Sequence, residues 1–227
     1  MAWVWTNFDK IWGLTVAHVG LSVVPIVVGF ILSIPLGYAA SRSKVARSIL
    51  LSVGGILYTI PSIALLVLVP VVLGLAILNP LNVVFALTTY AVAIMVRSAA
   101  DAFASVPKDV LASATAIGYS RWQRFFGVEL PLAIPVLLAG IRVVSVSTVS
   151  IASVGALTGI DQLGSFFIDA FQRSFPTEAI VGIVSILVIA AVYDVILSRT
   201  GRALTPWGRK QVAAAPRMYT ADQVVSL

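Results

Sequence analysis

The chain has 227 residues, of which 59% are hydrophobic and only 11% are charged. Soluble domains carry about a quarter charged residues, and a fold of this length has no interior large enough to hide so much apolar surface. The composition therefore excludes an ordinary water-soluble fold. It predicts membrane-spanning helices, because a helix satisfies its backbone hydrogen bonds within its own segment.

The formal net charge of +6 suggests nucleic-acid binding, but the positions of the charges argue against it. Lysine and arginine cluster between the apolar runs, as at the cytoplasmic ends of membrane spans, and do not cover one solvated face. The absence of cysteine excludes disulfide frameworks, and a single histidine argues against a multi-ligand metal site. We expect no nucleic-acid partner and no cofactor or metal in this chain.

A membrane span needs about 20 apolar residues, and five such windows fall between the charge clusters. The pattern predicts an all-α polytopic membrane protein. An interfacial N-terminal helix at 1–19 would precede a transmembrane domain at 20–207 and a cytoplasmic tail at 208–227. The predicted spans are 20–40, 50–75, 81–96, 131–157 and 179–197.

Proline divides the long uncharged stretch that follows the first span. The Asn-Pro pair at 79–80 is a natural turn between the second and third spans. Pro61 and Pro70 are each expected to bend the second span, because proline removes a backbone hydrogen bond. Pro61 also frees a carbonyl in mid-span, which Thr59 and Ser62 can satisfy.

The distribution of lysine and arginine predicts the orientation, because these residues are retained on the cytoplasmic side. Five spans place Lys10 and Arg173 on one side and the larger clusters, which include Arg42 and Arg124, on the other. We therefore expect a multi-pass protein of the cytoplasmic membrane, with its N-terminus outside and its C-terminus inside. The polar segment 98–130 would then be cytoplasmic.

The polar segment 98–130 has the pattern of two short helices. Pro107 suits the first position of a helix, and Gly118 suits the left-handed residue that ends one. Ser120 and Gln123 then have the spacing of a capping box, which predicts the second helix. An ordered loop of this length between membrane spans indicates a specific role.

Two short runs and one glycine stand out in this segment: Ala112-Ser113-Ala114, Gly118 and Val128-Glu129-Leu130-Pro131. They resemble the signature loop of binding-protein-dependent ABC importer permeases. In that family a Glu-Ala-Ala run is followed by glycine, and an aliphatic residue further on precedes a Leu-Pro pair. The spacing is the same here, but Ala112 replaces the family glutamate and Ser113 replaces alanine. Any polar contact of that glutamate is therefore absent or comes from another residue.

This resemblance implies a type I ABC importer permease fold in which the loop docks into a cleft of a cytoplasmic ATPase dimer. It also implies a second permease, identical or paralogous, an extracytoplasmic substrate-binding protein, and ATP and magnesium held by the ATPase. Docking is supported by the small residues of the loop, which permit close approach, and by its aromatic residues, which can anchor an interface. The alternative to docking is that the loop is an amphipathic hairpin lying on the lipid surface. The residues assigned to ATPase coupling are Ala112, Ser113, Ala114, Gly118, Trp122, Phe125, Val128, Leu130 and Pro131.

Further runs at 34–37, 59–66 and 155–157 resemble the osmoprotectant permeases. The resemblance implies glycine betaine, choline, carnitine or proline betaine as the substrate. Permeases for methionine and phosphonate share the architecture and the loop, so they remain alternatives. A path without buried carboxylates suits a neutral zwitterion, or a cation that passes without being held.

Polar side chains near Pro61 and along the fourth span are the candidates for the transport path. The alternative is that the side chains near Pro61 belong to a kinked helix that only packs against its neighbours, and that the hydroxyl groups of the fourth span serve helix packing. Sequence spacing brings together no aromatic cage for quaternary ammonium, because Tyr58 and Tyr90 do not converge. The path candidates are Tyr58, Thr59, Pro61, Ser62, Ser145, Thr148 and Ser153.

Arg142 and Asp194 are the charges expected within the span boundaries, and each is the natural partner of the other. The alternative is that both lie near the cytoplasmic interface and extend toward water. His18 is expected near the outer interface, as a polar cap or as a pH sensor.

An ion-coupled secondary transporter and an intramembrane enzyme are the competing classes. A secondary transporter needs intramembrane acids and an internal repeat, and an enzyme needs converging catalytic groups. The sequence has neither pattern. It also lacks a phosphate-binding Gly-x-x-x-x-Gly-Lys-Ser/Thr loop, so ATP hydrolysis is expected on a partner.

Overall fold

The computed structural model describes residues 2–206, which contain helices and no strand. Four helical runs are long and apolar enough to cross a membrane, and two shorter helices form a bent pair that can serve as a fifth span. The all-α polytopic fold is therefore confirmed. The helices are α1 (Ala2–Thr6), α2 (Phe8–Arg42), α3 (Lys44–Thr59), α4 (Ser62–Leu73), α5 (Pro80–Ala104), α6 (Lys108–Ala116), α7 (Arg121–Arg124), α8 (Leu130–Ala152), α9 (Ser165–Arg173) and α10 (Pro176–Leu204).

Two shorter turns complete the architecture. A π-helical turn, Phe125–Glu129, joins α7 to α8 without a break, and a 3₁₀ turn, Ser153–Thr158, follows α8. The four long spanning runs are α2, α5, the run from α7 through this 3₁₀ turn, and α10. The bent pair is α3 and α4.

The first span is longer than predicted. α2 is one helix of 35 residues, so most of the predicted separate helix at 1–19 is the beginning of the span itself. No proline lies between Phe8 and Pro25, so nothing there breaks the helix, and α2 also continues through Pro35. At 1.5 Å per residue a helix of this length measures about 52 Å. It therefore extends beyond a hydrocarbon core of about 30 Å.

The predicted second span, 50–75, is two helices. α3 and α4 meet at an angle of 104°. The break falls at Pro61, where it was predicted, because the proline nitrogen has no hydrogen to donate. At Pro70, in contrast, the helix is not interrupted, and α4 continues to Leu73. Pro70 lies near the end of α4, where its carbonyl accepts the N–H of Gly74 and closes the helix.

A residue from another helix satisfies the carbonyl that the bend leaves free. The Tyr90 hydroxyl of α5 donates to the Ile60 carbonyl at 2.5 Å. Thr59 and Ser62 were predicted for this role, but Thr59 instead donates to the Ile56 carbonyl at 2.7 Å within α3. The bend is thus fixed by a contact between α5 and the α3–α4 pair.

The remaining boundaries differ from prediction mainly at their ends. α5 continues about two turns beyond 81–96, α8 ends before the limit of 131–157, and α10 exceeds 179–197 at both ends. Charged residues set the predicted limits, but lysine, arginine and aspartate do not end a helix. The segment 105–129, between α5 and α8, is named the helical loop below. The predicted tail, 208–227, lies outside the described residues.

α2 and α5 form the centre of the bundle and run in the same direction. Gly29 and Gly37 of α2 face Ala91 and Ala99 of α5. The approach is so close that a Cβ added to Gly37 would lie 2.3 Å from the Ala99 Cβ. Small residues at such spacings let membrane helices pack closely. α8 packs on both α2 and α5, α10 packs on α8, and α3 and α4 pack on α5.

The bundle has two ends with different structures. At the loop end, α2 and α5 finish, α3 and α8 begin, and the helical loop covers the space between them. At the α9 end, α8 finishes, α10 begins, and α9 packs against α10. The predicted site residues are distributed between these two ends and the cavity in the middle.

Candidate coupling loop and transport cavity

The helical loop is built by local capping interactions. α6 begins directly after Pro107, which precedes the helix instead of occupying its first position. Gly118 has φ of +92°, a conformation that favours glycine. Its N–H donates to the Thr115 carbonyl at 3.0 Å, and the Tyr119 N–H donates to the Ala114 carbonyl at 3.1 Å. These two bonds form a Schellman motif, which ends α6 as the sequence predicts.

The second helix of the loop starts with the predicted capping box. The Ser120 hydroxyl accepts the Gln123 N–H at 3.4 Å, and the Gln123 side chain accepts the Ser120 N–H at 2.8 Å. The helix does not stop near Val128 as expected. It passes through the π turn, where the Leu130 N–H donates to the Phe125 carbonyl, into α8. The loop is therefore continuous with a membrane span.

The small residues assigned to coupling lie on two sides of α6. Ala112 and Ser113 are exposed, whereas Ala114 is buried. Ala112 and Ser113 therefore present small side chains at the surface of α6, and position 112 carries no carboxylate. The other coupling residues, at the junction with α8, are half-buried: Val128, Leu130 and Pro131.

The aromatic residues of the loop divide into two groups. Trp122 is 73% exposed and stacks on Phe126, with ring centroids 6.1 Å apart. Phe125 instead packs edge-on against Tyr38 of α2 at 4.9 Å and lies 5.8 Å from the Phe103 ring of α5. Phe125 was predicted as an anchor for the ATPase, but its contacts fix the loop to α2 and α5. Trp122 remains available for a partner.

A buried carboxylate joins the helical loop to the spans. Glu129 is 2% exposed, and Arg124 Nε donates to its Oε1 at 2.9 Å. Arg42, at the end of α2, donates from Nη2 to Glu129 Oε2. Arg124 Nη1 also donates to the Thr115 hydroxyl of α6 at 2.9 Å. These four residues, named the Glu129 cluster, connect α2, α6, α7 and the start of α8 through charge-assisted hydrogen bonds.

Two aromatic residues that were expected to lie apart are in contact. The Tyr58 and Tyr90 rings form an edge-to-face pair with centroids 6.0 Å apart. They meet because α3 and α5 pack together, which sequence spacing alone does not reveal. Tyr90 is buried, whereas Tyr58 is 51% exposed at the last turn of α3.

A cavity of about 290 Å³ lies between α3, α5 and α8. Tyr58, Arg97 and Ser147 contribute its polar and aromatic groups. Gly54 packs closely against Ala93 at its wall, where an added Cβ would lie 3.2 Å from the Ala93 carbonyl oxygen. Gly55, which also lines the cavity, has nothing within 4 Å of an added Cβ. Of the predicted path residues, Tyr58 alone lines this cavity.

Three of the hydroxyl residues predicted for the transport path lie in α8 or directly after it. Ser145 and Thr148 are buried, and Ser145 donates to the Ile141 carbonyl at 2.7 Å. Ser153 donates to the Ser150 carbonyl at 2.7 Å. These contacts support the packing alternative for the fourth span, whereas Ser147, one position before Thr148, reaches the cavity.

Arg142 of α8 and Asp194 of α10 form a two-pronged ion pair. Arg142 Nε donates to Asp194 Oδ1 at 2.6 Å, and Nη2 donates to Oδ2 at 2.9 Å. Both side chains remain partly exposed, at 44% and 37%. The pair lies on the surface of the single chain, where α8 and α10 meet.

A buried amide organises the α9 end. Gln162 Oε1 accepts the Gly164 N–H at 2.8 Å and lies 2.6 Å from His18 Nδ1. Its Nε2 donates at 3.0 Å to each of two carbonyls where α8 passes into the 3₁₀ turn. His18 Nε2 lies 3.0 Å from the Val149 carbonyl. His18, Val149, Gln162 and Gly164 are named the Gln162 cluster. His18 is fully buried, so it is not the cap at a water interface that the sequence suggested.

Sequence reasoning did not select Glu129, Gln162 or Arg97 as site residues. Glu129 had a usable signal, because a lone acid at the start of an apolar span needs a basic partner. Gln162 and Arg97 had none, since their surroundings come from distant segments. Among residues 2–206, no three histidine, aspartate or glutamate side chains come together to hold a metal ion.

These features define a class of protein. The chain is a polytopic helical membrane protein whose spans carry, at one end, a rigid helical loop with exposed small and aromatic residues. A charged cluster ties this loop to several spans, and a small cavity with polar groups lies between the helices. These are the features expected of a membrane transport subunit.

Residues 26–207 match the family described as the binding-protein-dependent transport system inner membrane component, and the chain belongs to this family. It is the permease subunit of an ABC importer and a multi-pass membrane protein. It is not an enzyme, because the ATPase of such a system is a separate subunit. Permeases of this family work with ATPase and binding-protein partners. The family assignment excludes the secondary-transporter and intramembrane-enzyme alternatives.

Two curated relatives match almost the whole chain. The glycine betaine/carnitine/choline transport system permease protein OpuCB of Bacillus subtilis (strain 168) is 30% identical over 92% of this chain and 94% of its own length. The osmoprotectant import permease protein OsmW of Salmonella typhimurium (strain LT2) is 31% identical over 89% of this chain and 95% of its own length.

A solved structure has the same fold. A chain in an inward-facing structure of the MetNI methionine ABC transporter superimposes with a TM-score of 0.78. The match covers 88% of this chain and 98% of that chain at 20% identity. This similarity confirms the predicted type I importer permease fold and carries no information about the substrate.

Proposed function

We propose that this permease imports small osmoprotectants that carry a quaternary amine, such as glycine betaine, carnitine or choline. The observation that carries the proposal is the identity of 30–31% over about nine-tenths of the chain to permeases named for these solutes. The absence of an acidic side chain among the cavity residues supports it, because no carboxylate would hold a cationic group tightly.

The proposed assembly contains two permeases, identical or paralogous, and a cytoplasmic ATPase dimer that holds ATP and magnesium. An extracytoplasmic binding protein captures the substrate and delivers it to the outer face. Lipid surrounds the spans, and this chain itself needs no cofactor. ATP closes the ATPase dimer, and the helical loop passes that movement to the spans, which then open alternately to the two sides.

The charge distribution supports an orientation with the loop end in the cytoplasm. The loop end carries most of the arginine and lysine of the described residues, whereas Lys10 and Arg173 lie at the α9 end. Positive residues are retained on the cytoplasmic side of the membrane. The N-terminus and α9 would then face the binding protein, and α10 would end in the cytoplasm.

The helical loop is proposed as the coupling element. Ala112 and Ser113 present small side chains to a cleft, and Trp122 presents a large aromatic surface of the kind that dominates interfaces. The loop can transmit force because Phe125 and the Glu129 cluster fix it to α2, α5 and α8. A loop that lay loosely on lipid would need no such attachments.

The decisive experiment is ATPase activity in nanodiscs. The chain is expressed together with its neighbouring genes, and the purified complex is assayed with binding protein loaded with glycine betaine. Stimulation of ATP hydrolysis by the loaded protein supports both the importer assembly and the substrate class. Stimulation by methionine-loaded or phosphonate-loaded protein alone would overturn the substrate class and keep the importer.

The coupling role predicts a specific effect of Gly118→Trp. Gly118 has positive φ and open space around it, so the large side chain strains the turn and obstructs docking while the spans stay intact. We expect uptake to fall at least tenfold with membrane insertion unchanged. Gly74→Trp is the matched control, because Gly74 also has positive φ and open surroundings but ends α4 away from the loop. Normal uptake by the Gly118→Trp complex would contradict the coupling role.

A further inference from the structure

We propose that the cavity between α3, α5 and α8 is a binding site for a small zwitterion that carries a quaternary ammonium and a carboxylate. In this site Arg97 binds the carboxylate, Tyr58 contacts the ammonium group, and Ser147 lines the third wall. The inference rests on the proposed function, because glycine betaine and carnitine are zwitterions of this kind. It adds the residues that recognise them during passage through the permease.

Arg97 is the first observation that points to a ligand. It lies inside α5, about two turns from the end of the helix, and its side chain is exposed where it lines the cavity. Arg47 and Arg142 each have an aspartate partner, but Arg97 has no ion pair within residues 2–206. A charge within a membrane span normally faces a partner or an aqueous path. A substrate carboxylate supplies that partner, because guanidinium binds carboxylate with two parallel hydrogen bonds.

Tyr58 is the second observation, and its position is fixed by the fold. The break at Pro61 ends α3 one residue after Tyr58, and the buried Tyr90 ring packs edge-on against it. The Tyr90 hydroxyl is held in turn by the Ile60 carbonyl. Tyr58 therefore presents a supported, half-exposed ring to the cavity. Aromatic rings attract quaternary ammonium groups through cation–π interactions.

The arrangement of the two groups suits a molecule with a charge at each end. α3 and α5 run in opposite directions, so Tyr58 lies beside Tyr90, and Gly54 lies beside Ala93. Arg97 is one turn further along α5 than Ala93, so it lies toward the opposite end of the cavity from Tyr58. Gly55 on the α3 wall of the cavity has open space beside it and leaves room for the middle of the ligand.

The size and chemistry of the cavity favour weak and short-lived binding of the substrate. Its volume of about 290 Å³ is at the lower limit of small-molecule sites, which span roughly 300–1,000 Å³. It contains one arginine, one tyrosine and one serine as polar groups, and no acid. Such a site recognises both ends of a small zwitterion without the many contacts that would prevent release. High affinity would reside in the binding protein.

Choline provides the discriminating comparison, because it carries the quaternary ammonium without the carboxylate. The complete transporter, with its ATPase and binding protein, is reconstituted, and the initial uptake of glycine betaine and of choline is measured. For Arg97→Gln we expect glycine betaine uptake to fall at least tenfold while choline uptake is unchanged or increased. Tyr58→Leu should reduce both uptakes about equally, and Tyr58→Phe should retain both.

A change in the ratio of the two uptakes separates recognition from structural damage, because misfolding lowers both. Arg199→Gln is the matched control, since Arg199 is exposed on α10 away from the cavity. An unchanged ratio in Arg97→Gln overturns the site while leaving the proposed function intact. If the unaltered transporter moves none of glycine betaine, carnitine or choline, the proposed substrate class fails, and the zwitterion assignment fails with it.

Labelling measures occupancy without transport. The chain has no cysteine, so Ser147→Cys introduces a single thiol into the cavity wall. In the reconstituted transporter, millimolar glycine betaine should slow labelling of this thiol at least threefold, and sucrose at the same concentration should not. The protection should disappear when Arg97→Gln is added. Labelling that is insensitive to glycine betaine would contradict binding at this position.

Discussion

The two ends of α2 are attached to the bundle by different chemistry. At the loop end, Arg42 joins the Glu129 cluster, in which formal charges meet across four helical segments. At the α9 end, His18 joins the Gln162 cluster, in which an amide and an imidazole meet backbone carbonyls and one N–H. The first cluster is ionic and partly open to solvent, because the Arg42 side chain is 41% exposed, whereas the second is fully buried.

This difference indicates different tasks. A charged cluster between side chains can hold separate segments together while they move as one body, because side chains are long and their bonds are strong. An amide that bonds directly to backbone atoms fixes the backbone in one shape. The Glu129 cluster therefore suits transmission of movement from the helical loop, and the Gln162 cluster suits a stable turn between α8 and α9.

The largest expected effect comes from Gly37→Leu, which attacks the part of α2 that lies between both clusters. A Cβ at this position would lie 2.7 Å from the Ala99 backbone carbon, which cannot move unless α2 and α5 separate. We expect a loss of stability on the order of 5 kcal/mol, in the exceptional range for single substitutions. Little folded protein should be recovered after detergent extraction and size-exclusion chromatography.

Gly20→Leu is the control for this prediction. Gly20 lies in the same helix, is exposed and has nothing within 4 Å of an added Cβ. Both variants make the same chemical change in an apolar helix, so they differ only in the packing against α5. Equal recovery of the two proteins would mean that the close contact of α2 with α5 does not hold the bundle together.

The second effect in size is expected from Glu129→Gln. The change keeps the shape of the side chain but leaves two arginines without their carboxylate. Breaking a buried pair costs about 3–5 kcal/mol, and the lower value, about 3 kcal/mol, applies here because solvent screens the exposed Arg42. We expect a lower unfolding temperature in detergent and, in the complete transporter, more ATP hydrolysed per substrate moved.

Glu178→Gln supplies the comparison at the opposite end. Glu178 is also 2% exposed, but its one ion-pair contact within residues 2–206, with Arg173, is 3.9 Å long. Its Oε2 has no hydrogen-bond partner among the described residues. Removal of its charge should therefore cost far less than removal of the Glu129 charge. A larger loss in Glu178→Gln would reverse the ranking of the two ends.

Sequence reasoning succeeded where structure depends on neighbours along the chain. The apolar windows predicted the spans, Gly118 and the Ser120–Gln123 capping box predicted the turn of the helical loop, and Pro61 predicted the bend. Each is a local rule: a backbone conformation that glycine adopts, a side chain that reaches three residues, a missing N–H. The loop motif then identified the family, which the comparison with known permeases confirmed.

Contacts between distant segments were not predictable from the sequence. The contact between Tyr58 and Tyr90 was not predicted, because sequence spacing does not reveal how α3 packs on α5. Phe125 was assigned to the ATPase interface, and the sequence did not reveal its ring contacts with α2 and α5, because an aromatic residue in a loop suits either role. Ser145 and Thr148 were assigned to a path because a hydroxyl that bonds its own helix and one that faces a cavity look alike in sequence.

The smallest of the three effects is expected from Gln162→Leu. This substitution leaves the Gly164 N–H and two carbonyls without their side-chain partner in a buried site. An unsatisfied buried polar group costs about 1–3 kcal/mol, and part of this is recovered when the turn relaxes. The unfolding temperature should fall less than in Glu129→Gln. The ratio of ATP hydrolysed to substrate moved should stay at the level of the unaltered transporter, because the helical loop remains attached.

Gln172→Leu is the control for this last substitution, because Gln172 is exposed on α9 and close in sequence. It should leave the unfolding temperature unchanged. The informative quantity is the pair of measurements on each variant. If the two clusters have separate tasks, Gln162→Leu should lower the unfolding temperature without changing the ATP hydrolysed per substrate moved. Glu129→Gln should lower the unfolding temperature and raise that ratio. If Gln162→Leu uncouples transport as strongly as Glu129→Gln, then α2 transmits movement along its whole length, and the two ends act as one device.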